Sequence, residues 1–181
     1  MPTPPISLPF RQLGHVVEDL DRALAAWSAH LHVGPWTIFR NVPIPCTFRG
    51  AHSEPMIDIA LGYLGEMQIE LIQQRNAAPS PYRAFIDQRR FGLHHVGVLA
   101  PRIDDEVERL QRSGLNLACD IRTPGGRYVY FDTPVSGETS YLEVIEATPA
   151  MQEMFRSGLA ATATWDGRTA PTVIDFAQMP R

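Results

Sequence analysis

An internal repeat constrains the fold of this chain more than any other feature. Each copy contains two short apolar segments, and the second copy lies about eighty residues after the first. The segments are Leu13-Gly14-His15-Val16-Val17 and Gln68-Ile69-Glu70-Leu71-Ile72 in the first copy, then Leu93-His94-His95-Val96-Gly97-Val98 and Tyr141-Leu142-Glu143-Val144-Ile145 in the second. In this comparison His15 matches His95, and Glu70 matches Glu143. A repeat of this length predicts two similar structural modules in one chain.

Each copy has the pattern of a strand, a helix and then several strands. In the first copy, an apolar stripe with helical spacing (Leu20, Ala23, Leu24, Trp27 and Leu31) follows the opening strand. In the second copy, Ile103, Val107 and Leu110 form the corresponding stripe. The first module is therefore predicted over residues 8–75 and the second over 91–147. A linker helix is predicted at 79–90, after a proline-rich joint.

This pattern predicts an α+β fold in which paired βαβββ modules form a curled mixed sheet around a central metal site. Together the two modules would make one domain over residues 1–147. A C-terminal helical extension is predicted at 148–181, because Met151, Met154, Phe155 and Leu159 form one apolar stripe after Pro149. We expect this stripe to pack on an apolar surface.

Composition excludes several classes of partner. The formal net charge is −4, and the chain contains no long run of lysine or arginine, so nucleic acid and anionic membrane surfaces are not expected partners. No segment has the length of apolar residues that a membrane span needs, and the N-terminus lacks a signal-peptide pattern. We therefore expect a cytoplasmic homodimer that acts on a small molecule.

The two histidines and two glutamates of the repeat are the candidate metal ligands. Side chains alternate between the faces of a strand, so the strand-closing glutamates would lie opposite apolar side chains that pack on the helices. His94 would face away from His95. Two neutral imidazoles and two carboxylates are suited to one divalent ion, namely Zn, Ni, Co, Mn or Fe. The predicted set is His15, Glu70, His95 and Glu143.

The same four tetrads resemble the vicinal oxygen chelate superfamily of glyoxalases, bleomycin-resistance proteins and extradiol dioxygenases. They are Gly14-His15-Val16-Val17, Gln68-Ile69-Glu70-Leu71, His94-His95-Val96-Gly97 and Tyr141-Leu142-Glu143-Val144. The combination is most like the methylmalonyl-CoA epimerase and glyoxalase I type. That resemblance implies a metal-dependent isomerase, epimerase or lyase that removes a proton next to a carbonyl and stabilises the enolate. Glu143 or Glu70 would act as the catalytic base.

Two alternatives remain open at the level of sequence. One is a metal-free small-molecule binding protein of the resistance type, for which the chain has enough aromatic residues. The other is a ring-cleaving Fe(II) dioxygenase, which would need two histidines and one carboxylate with open coordination positions. We expect the parts outside the repeat, residues 41–55 and the extension, to decide the substrate.

Overall fold

Eleven strands form one curled mixed sheet in the computed structural model, which describes residues 8–133 and 140–179. The strands are β1 (Phe10–Val16), β2 (Thr37–Pro43), β3 (Cys46–Phe48), β4 (Ala51–Ser53), β5 (Met56–Leu64), β6 (Met67–Gln74), β7 (Gly92–Ala100), β8 (Leu117–Thr123), β9 (Gly126–Thr133), β10 (Ser140–Glu146) and β11 (Thr172–Asp175). The helices are α1 (Leu20–Leu31), α2 (Pro81–Asp87), α3 (Ile103–Arg112) and α4 (Pro149–Ala163), followed at Phe176–Gln178 by a short 3-10 helix. The predicted fold class is confirmed.

The order of the strands reflects the internal repeat. It runs β11-β2-β5-β6-β1-β7-β10-β9-β8-β3-β4 across the sheet. The first module supplies β2-β5-β6-β1, and the second supplies β7-β10-β9-β8 in the same internal arrangement. The antiparallel pair β1–β7 joins the modules and places the opening strands of both repeats side by side at the centre of the sheet.

Helices α1 and α3 cover the outer face of the sheet. Leu20 and Leu24 of α1 pack on Ile69 and Leu71 of β6, and α3 buries its stripe on the matching face of the second module. The side chain of Asp19 caps α1 by accepting a hydrogen bond from the backbone N–H of Arg22, which satisfies a donor that the first turn leaves free. The helical stripes of both repeats therefore pack as predicted.

Helices α2 and α4 lie on the inner face of the sheet, opposite α1 and α3. Tyr82 and Phe85 of α2 pack on one end of this face, and Met151 and Phe155 of α4 pack beside Tyr63 at the other. The predicted linker helix is shorter than the range 79–90, because it begins at Pro81 after the Ser80 cap and ends at Asp87. Within the ranges that the structure describes, no helix is long and apolar enough to cross a membrane.

Two additions outside the repeat extend the edges of the sheet. The β3–β4 hairpin belongs to the first module in sequence, yet β3 pairs with β8 of the second module. An ion pair between Arg49 and Asp132, with Nη2 2.7 Å from Oδ1, holds the hairpin there. At the other edge, β11 pairs with β2. The two modules are thus linked by the β3–β8 pair at one edge of the sheet as well as by β1–β7 at the centre, and the extension pairs with the first module at the other edge.

Candidate metal centre

Three buried side chains converge at the centre of the inner face. His95 Nε2 lies 3.2 Å from Glu70 Oε2 and 3.2 Å from Glu143 Oε2. The residues are 0 %, 9 % and 4 % exposed, respectively. Two carboxylates and an imidazole so far from water are costly unless they compensate one another or hold a cation. The strand faces predicted for Glu70, His95 and Glu143 agree with this placement.

Two glycines make room for the cluster. A Cβ atom on Gly14 would lie 1.8 Å from His95 Cε1, and one on Gly97 would lie 2.8 Å from the side-chain oxygen of Gln12. In the sheet, Gly14 pairs with both His95 and Glu70, while Gly97 pairs with both Gln12 and Glu143. The two sets of pairs have the same pattern, so the modules are related by a local twofold at this point.

The structure does not bring His15 to this cluster, which corrects the assignment made from sequence. His15 lies on the opposite face of β1, where its ring contacts that of Trp27 in α1 at a centroid distance of 5.0 Å. The reason is strand alternation, since Gln12 and Gly14 face inward and His15 must face outward. Burial lowers the pKa of His15. It is a neutral residue of the outer layer.

Gln12 occupies the position that sequence comparison gave to His15. Its Oε1 lies 3.2 Å from His95 Nε2, as close as the two carboxylate oxygens. A signal for this was present in the sequence, because Gln12 and His95 each stand eight residues before the first residue of the following helix, Leu20 or Ile103. The sequence comparison aligned histidine with histidine. It therefore chose His15, which lies three positions after Gln12.

A chain of hydrogen bonds fixes the amide of Gln12. Tyr63 OH donates to the carbonyl of Met154 at 3.4 Å and accepts from Gln68 Nε2 at 2.7 Å. Gln68 Oε1 in turn accepts from Gln12 Nε2 at 2.9 Å. The Nε2 group of Gln12 therefore already donates to Gln68, and the Oε1 atom of Gln12 faces His95. This oxygen is available as a neutral ligand beside the two carboxylates.

The charges within the cluster are strongly coupled. Burial by itself would lower the pKa of His95, but the nearby carboxylates of Glu143 and Glu70 outweigh it and raise the pKa to about 9. Burial raises the pKa of Glu70, and the negative charge of Glu143 adds to that rise. In the absence of a cation, His95 is therefore protonated at neutral pH and compensates part of the negative charge.

His94 supports His95 from the α2 side. The Nδ1 atoms of the two rings are 3.0 Å apart, so one donates a hydrogen bond and the other accepts it. His94 is buried against Tyr82 and Phe85, and this burial holds its pKa well below the usual range. A neutral His94 can accept a hydrogen bond from the Nδ1–H of His95, which leaves His95 Nε2 free as a ligand. The preference for His95 over His94 as the ligand agrees with this geometry.

The donor atoms fit a divalent cation. The ligand atoms of Glu70, His95 and Glu143 all lie within 4.8 Å of one another. A cation about 2.0–2.2 Å from each donor would hold neighbouring donors roughly 3 Å apart, close to the observed spacing. Glu70 Oε2 and Glu143 Oε2 are buried and have no hydrogen-bond partner of good geometry among the described residues. A cation would satisfy both oxygens.

The chain belongs to the glyoxalase/bleomycin resistance protein/dioxygenase superfamily, whose family model matches residues 11–131. No curated protein matches the sequence. Helix α4 and strand β11 lie beyond the matched residues.

Solved structures share the fold at low sequence identity. A hypothetical protein from Bacillus halodurans C-125 is 18 % identical with a TM-score of 0.60, and the match covers 79 % of this chain and 96 % of that one. Methylmalonyl-CoA epimerase from Mycobacterium tuberculosis is 21 % identical with a TM-score of 0.56, covering 80 % and 91 %. A mutant of 4-hydroxymandelate synthase from Streptomyces coelicolor is 14 % identical with a TM-score of 0.52, covering 86 % and 54 %.

Proposed function

We propose that this chain is a divalent-metal-dependent isomerase, epimerase or lyase that removes a proton from the carbon next to a carbonyl. The observation that carries the proposal is the meeting of two buried carboxylates with His95 Nε2 and Gln12 Oε1. With His95 neutral this set has a charge of about −2, which a divalent cation neutralises. When bound, such a cation stabilises negative charge that develops on a substrate oxygen.

Glu70 fits the role of the base better than Glu143. Its cross-strand partner, Leu61, lines an open cavity, whereas the partner of Glu143 is the fully buried Tyr130. Glu70 is thus the carboxylate on the side from which a substrate could approach.

The donor set favours a borderline divalent ion. One imidazole nitrogen and three oxygens suit Zn, Ni, Co, Mn or Fe, as expected from the original set, although an amide oxygen replaces one imidazole. An iron dioxygenase site of two histidines and one carboxylate is not supported, because His95 is the one histidine that the described part of the chain brings to the cluster.

The epimerase structures are consistent with this proposal through the fold alone. At 21 % identity or less, the coenzyme A ester that occupies a Streptomyces coelicolor epimerase is not carried over to this chain.

Metal analysis by inductively coupled plasma mass spectrometry tests the proposal. Protein loaded with Zn, Ni, Co, Mn or Fe(II) and then desalted should retain about one equivalent, and Glu143→Gln should lose it. Glu66→Gln is the matched control, because Glu66 is exposed in the β5–β6 turn. A chain that retains no metal, or a Glu143→Gln variant that retains as much as the parent, would overturn the proposal in favour of a metal-free binding protein.

The chemical step is tested by solvent exchange. In deuterium oxide, the metal-loaded protein should catalyse the incorporation of deuterium into its substrate, at the carbon next to the carbonyl. Glu70→Gln should slow this exchange by about 100-fold or more.

We also expect the enzyme to be a homodimer, which light scattering after size-exclusion chromatography would measure.

A further inference from the structure

An open cavity of about 260 Å³ lies between α4 and the first module, beside the candidate metal centre. Its lining residues come from the α1–β2 connection and from β2, β5, β6, α4 and β11: Pro35, Trp36, Thr37, Leu61, Tyr63, Gln68, Met154, Ser157, Gly158, Ala161 and Thr172. The floor is buried at Tyr63 and Gln68, and the rim is exposed at Ser157 and Ala161. The cavity is therefore a pocket with one open side.

Small residues on α4 create this pocket. Gly158 allows the helix to approach Tyr63 closely, since a Cβ atom there would lie 2.1 Å from the Tyr63 ring. Ser157 and Ala161 flank that contact and are too short to fill the space above β2 and β5. Helix α4 lies beyond the residues that the family model matches.

The pocket adjoins the metal centre through the β5–β6 pair. Leu61 is paired with Glu70, and Tyr63 with Gln68, so two lining residues are the direct cross-strand neighbours of inward-facing residues of β6. Neighbouring strands are about 4.8 Å apart, which places the floor within one strand of the Glu70 carboxylate. Gln68 lines the pocket and is hydrogen-bonded to Gln12, whose oxygen lies beside His95, so the pocket and the cluster share this connection.

The residues that line the pocket indicate which kind of ligand it can bind. None of the eleven lining residues carries a charge, and the polar groups are hydroxyls and one amide. Phosphate and carboxylate groups are bound in proteins by arginine, lysine or helix N-termini, none of which lines this pocket. Its volume is just below the range of about 300–1,000 Å³ that holds drug-sized ligands. An uncharged, largely apolar molecule smaller than a drug fits best.

Resting on the proposed function, we infer that the substrate is a small uncharged carbonyl compound whose apolar part occupies the pocket under α4. The pocket lining offers no cation to the charged groups of a coenzyme A thioester or a glutathione adduct.

Methyl-labelled methionine provides a direct test, because Met154 lines the pocket and Met56 lies at the far end of β5. The probes are phenylacetone, its charged analogue phenylacetate, and acetyl-coenzyme A. Phenylacetone should shift the Met154 methyl resonance and leave that of Met56 unchanged. The Ala161→Trp variant should weaken this binding by about tenfold or more by filling the rim, whereas Ala160→Trp, exposed on the same helix, should not.

The outcomes separate this inference from the proposed function. No shift at Met154 in protein that holds metal, equal binding by the Ala161→Trp variant, or tighter binding of either charged probe would overturn the pocket inference alone. A Met154 shift in the parent protein, when that protein retains no metal after loading, would support the pocket and overturn the enzyme proposal. Repeating the titration with Glu143→Gln, expected to bind phenylacetone but no metal, keeps the two readouts independent.

Discussion

Gln12 and His95 stand at equivalent positions of the two modules, and Gln12 Oε1 lies 3.2 Å from His95 Nε2. The local twofold therefore relates an amide to an imidazole, and the two glutamates to each other. This unequal pair gives the centre one nitrogen and three oxygen donors.

Substitutions can test whether Gln12, rather than His15, is the partner of His95 in metal binding. His95→Ala should abolish metal binding, and Gln12→Ala should weaken it by about ten- to 100-fold, the size of effect found for supporting groups at metal sites. His15→Ala should leave affinity unchanged, because His15 contacts Trp27 on the outer face. Isothermal titration with Zn or Ni measures all three. Loss of binding in His15→Ala with a preserved fold would restore the original assignment.

His15 is the member of the predicted set that the structure does not bring to the cluster, and the reason is physical. Glu70 and Glu143 lie in strands with alternating apolar partners, so their faces could be predicted from local pattern. In β1 the inward positions are Gln12 and Gly14, and the register with β7 shifts between Gly14 and His15. The spacing to the next helix was a better guide than residue identity.

Long-range pairing was beyond prediction from sequence for a different reason. The stripe of Met151, Met154, Phe155 and Leu159 predicted an apolar contact for the extension, and helical periodicity says nothing about its partner. The structure places that stripe beside Tyr63 and Ile145 of different modules. The pairing of β3 with β8 likewise depends on contacts between residues more than seventy positions apart.

The space around His95 predicts a strict requirement for glycine at position 14. Gly14→Ala would place Cβ 1.8 Å from His95 Cε1 and so displace the ring. We expect loss of metal binding and a decrease of about 1–3 kcal/mol in the free energy of unfolding. Gly125→Ala is the control, because the nearest side-chain atom would lie 3.5 Å away, an ordinary contact. Urea denaturation and metal analysis measure both effects, and an unaffected Gly14→Ala variant would contradict this placement.

The pKa of His95 predicts that metal binding releases a proton. In metal-free protein the pKa is raised to about 9, so His95 is protonated at pH 7 to 8 and must lose that proton to act as a ligand. Affinity should therefore rise with pH and level off above about pH 9. Titration calorimetry in buffers with different ionisation enthalpies measures the protons released. Affinity that does not change between pH 6.5 and 9 would show that His95 is not a ligand.

The raised pKa of His95 also makes the free energy of unfolding of the metal-free protein depend on pH. A pKa raised from 6.5 to about 9 means that the folded state binds the His95 proton more tightly than the unfolded state. The resulting stabilisation is fully present below pH 6.5 and is lost as the pH rises through about 9. Urea denaturation of metal-free protein should reveal this loss, and His95→Gln should remove this part of the pH dependence.

The contact between Gly158 and Tyr63 predicts how α4 is held on the inner face. In a free helix, Gly→Ala is stabilising by about 1 kcal/mol. Here a Cβ atom on Gly158 would lie 2.1 Å from the Tyr63 ring, which is buried and hydrogen-bonded to Gln68, so the overlap should outweigh that gain. We expect Gly158→Ala to lower the free energy of unfolding, and Tyr63→Leu in the same chain to relieve the overlap. Ala160→Gly, exposed on the same helix, should cost about 1 kcal/mol through helix propensity alone. A Gly158→Ala variant more stable than the parent would mean that α4 does not rest on Tyr63.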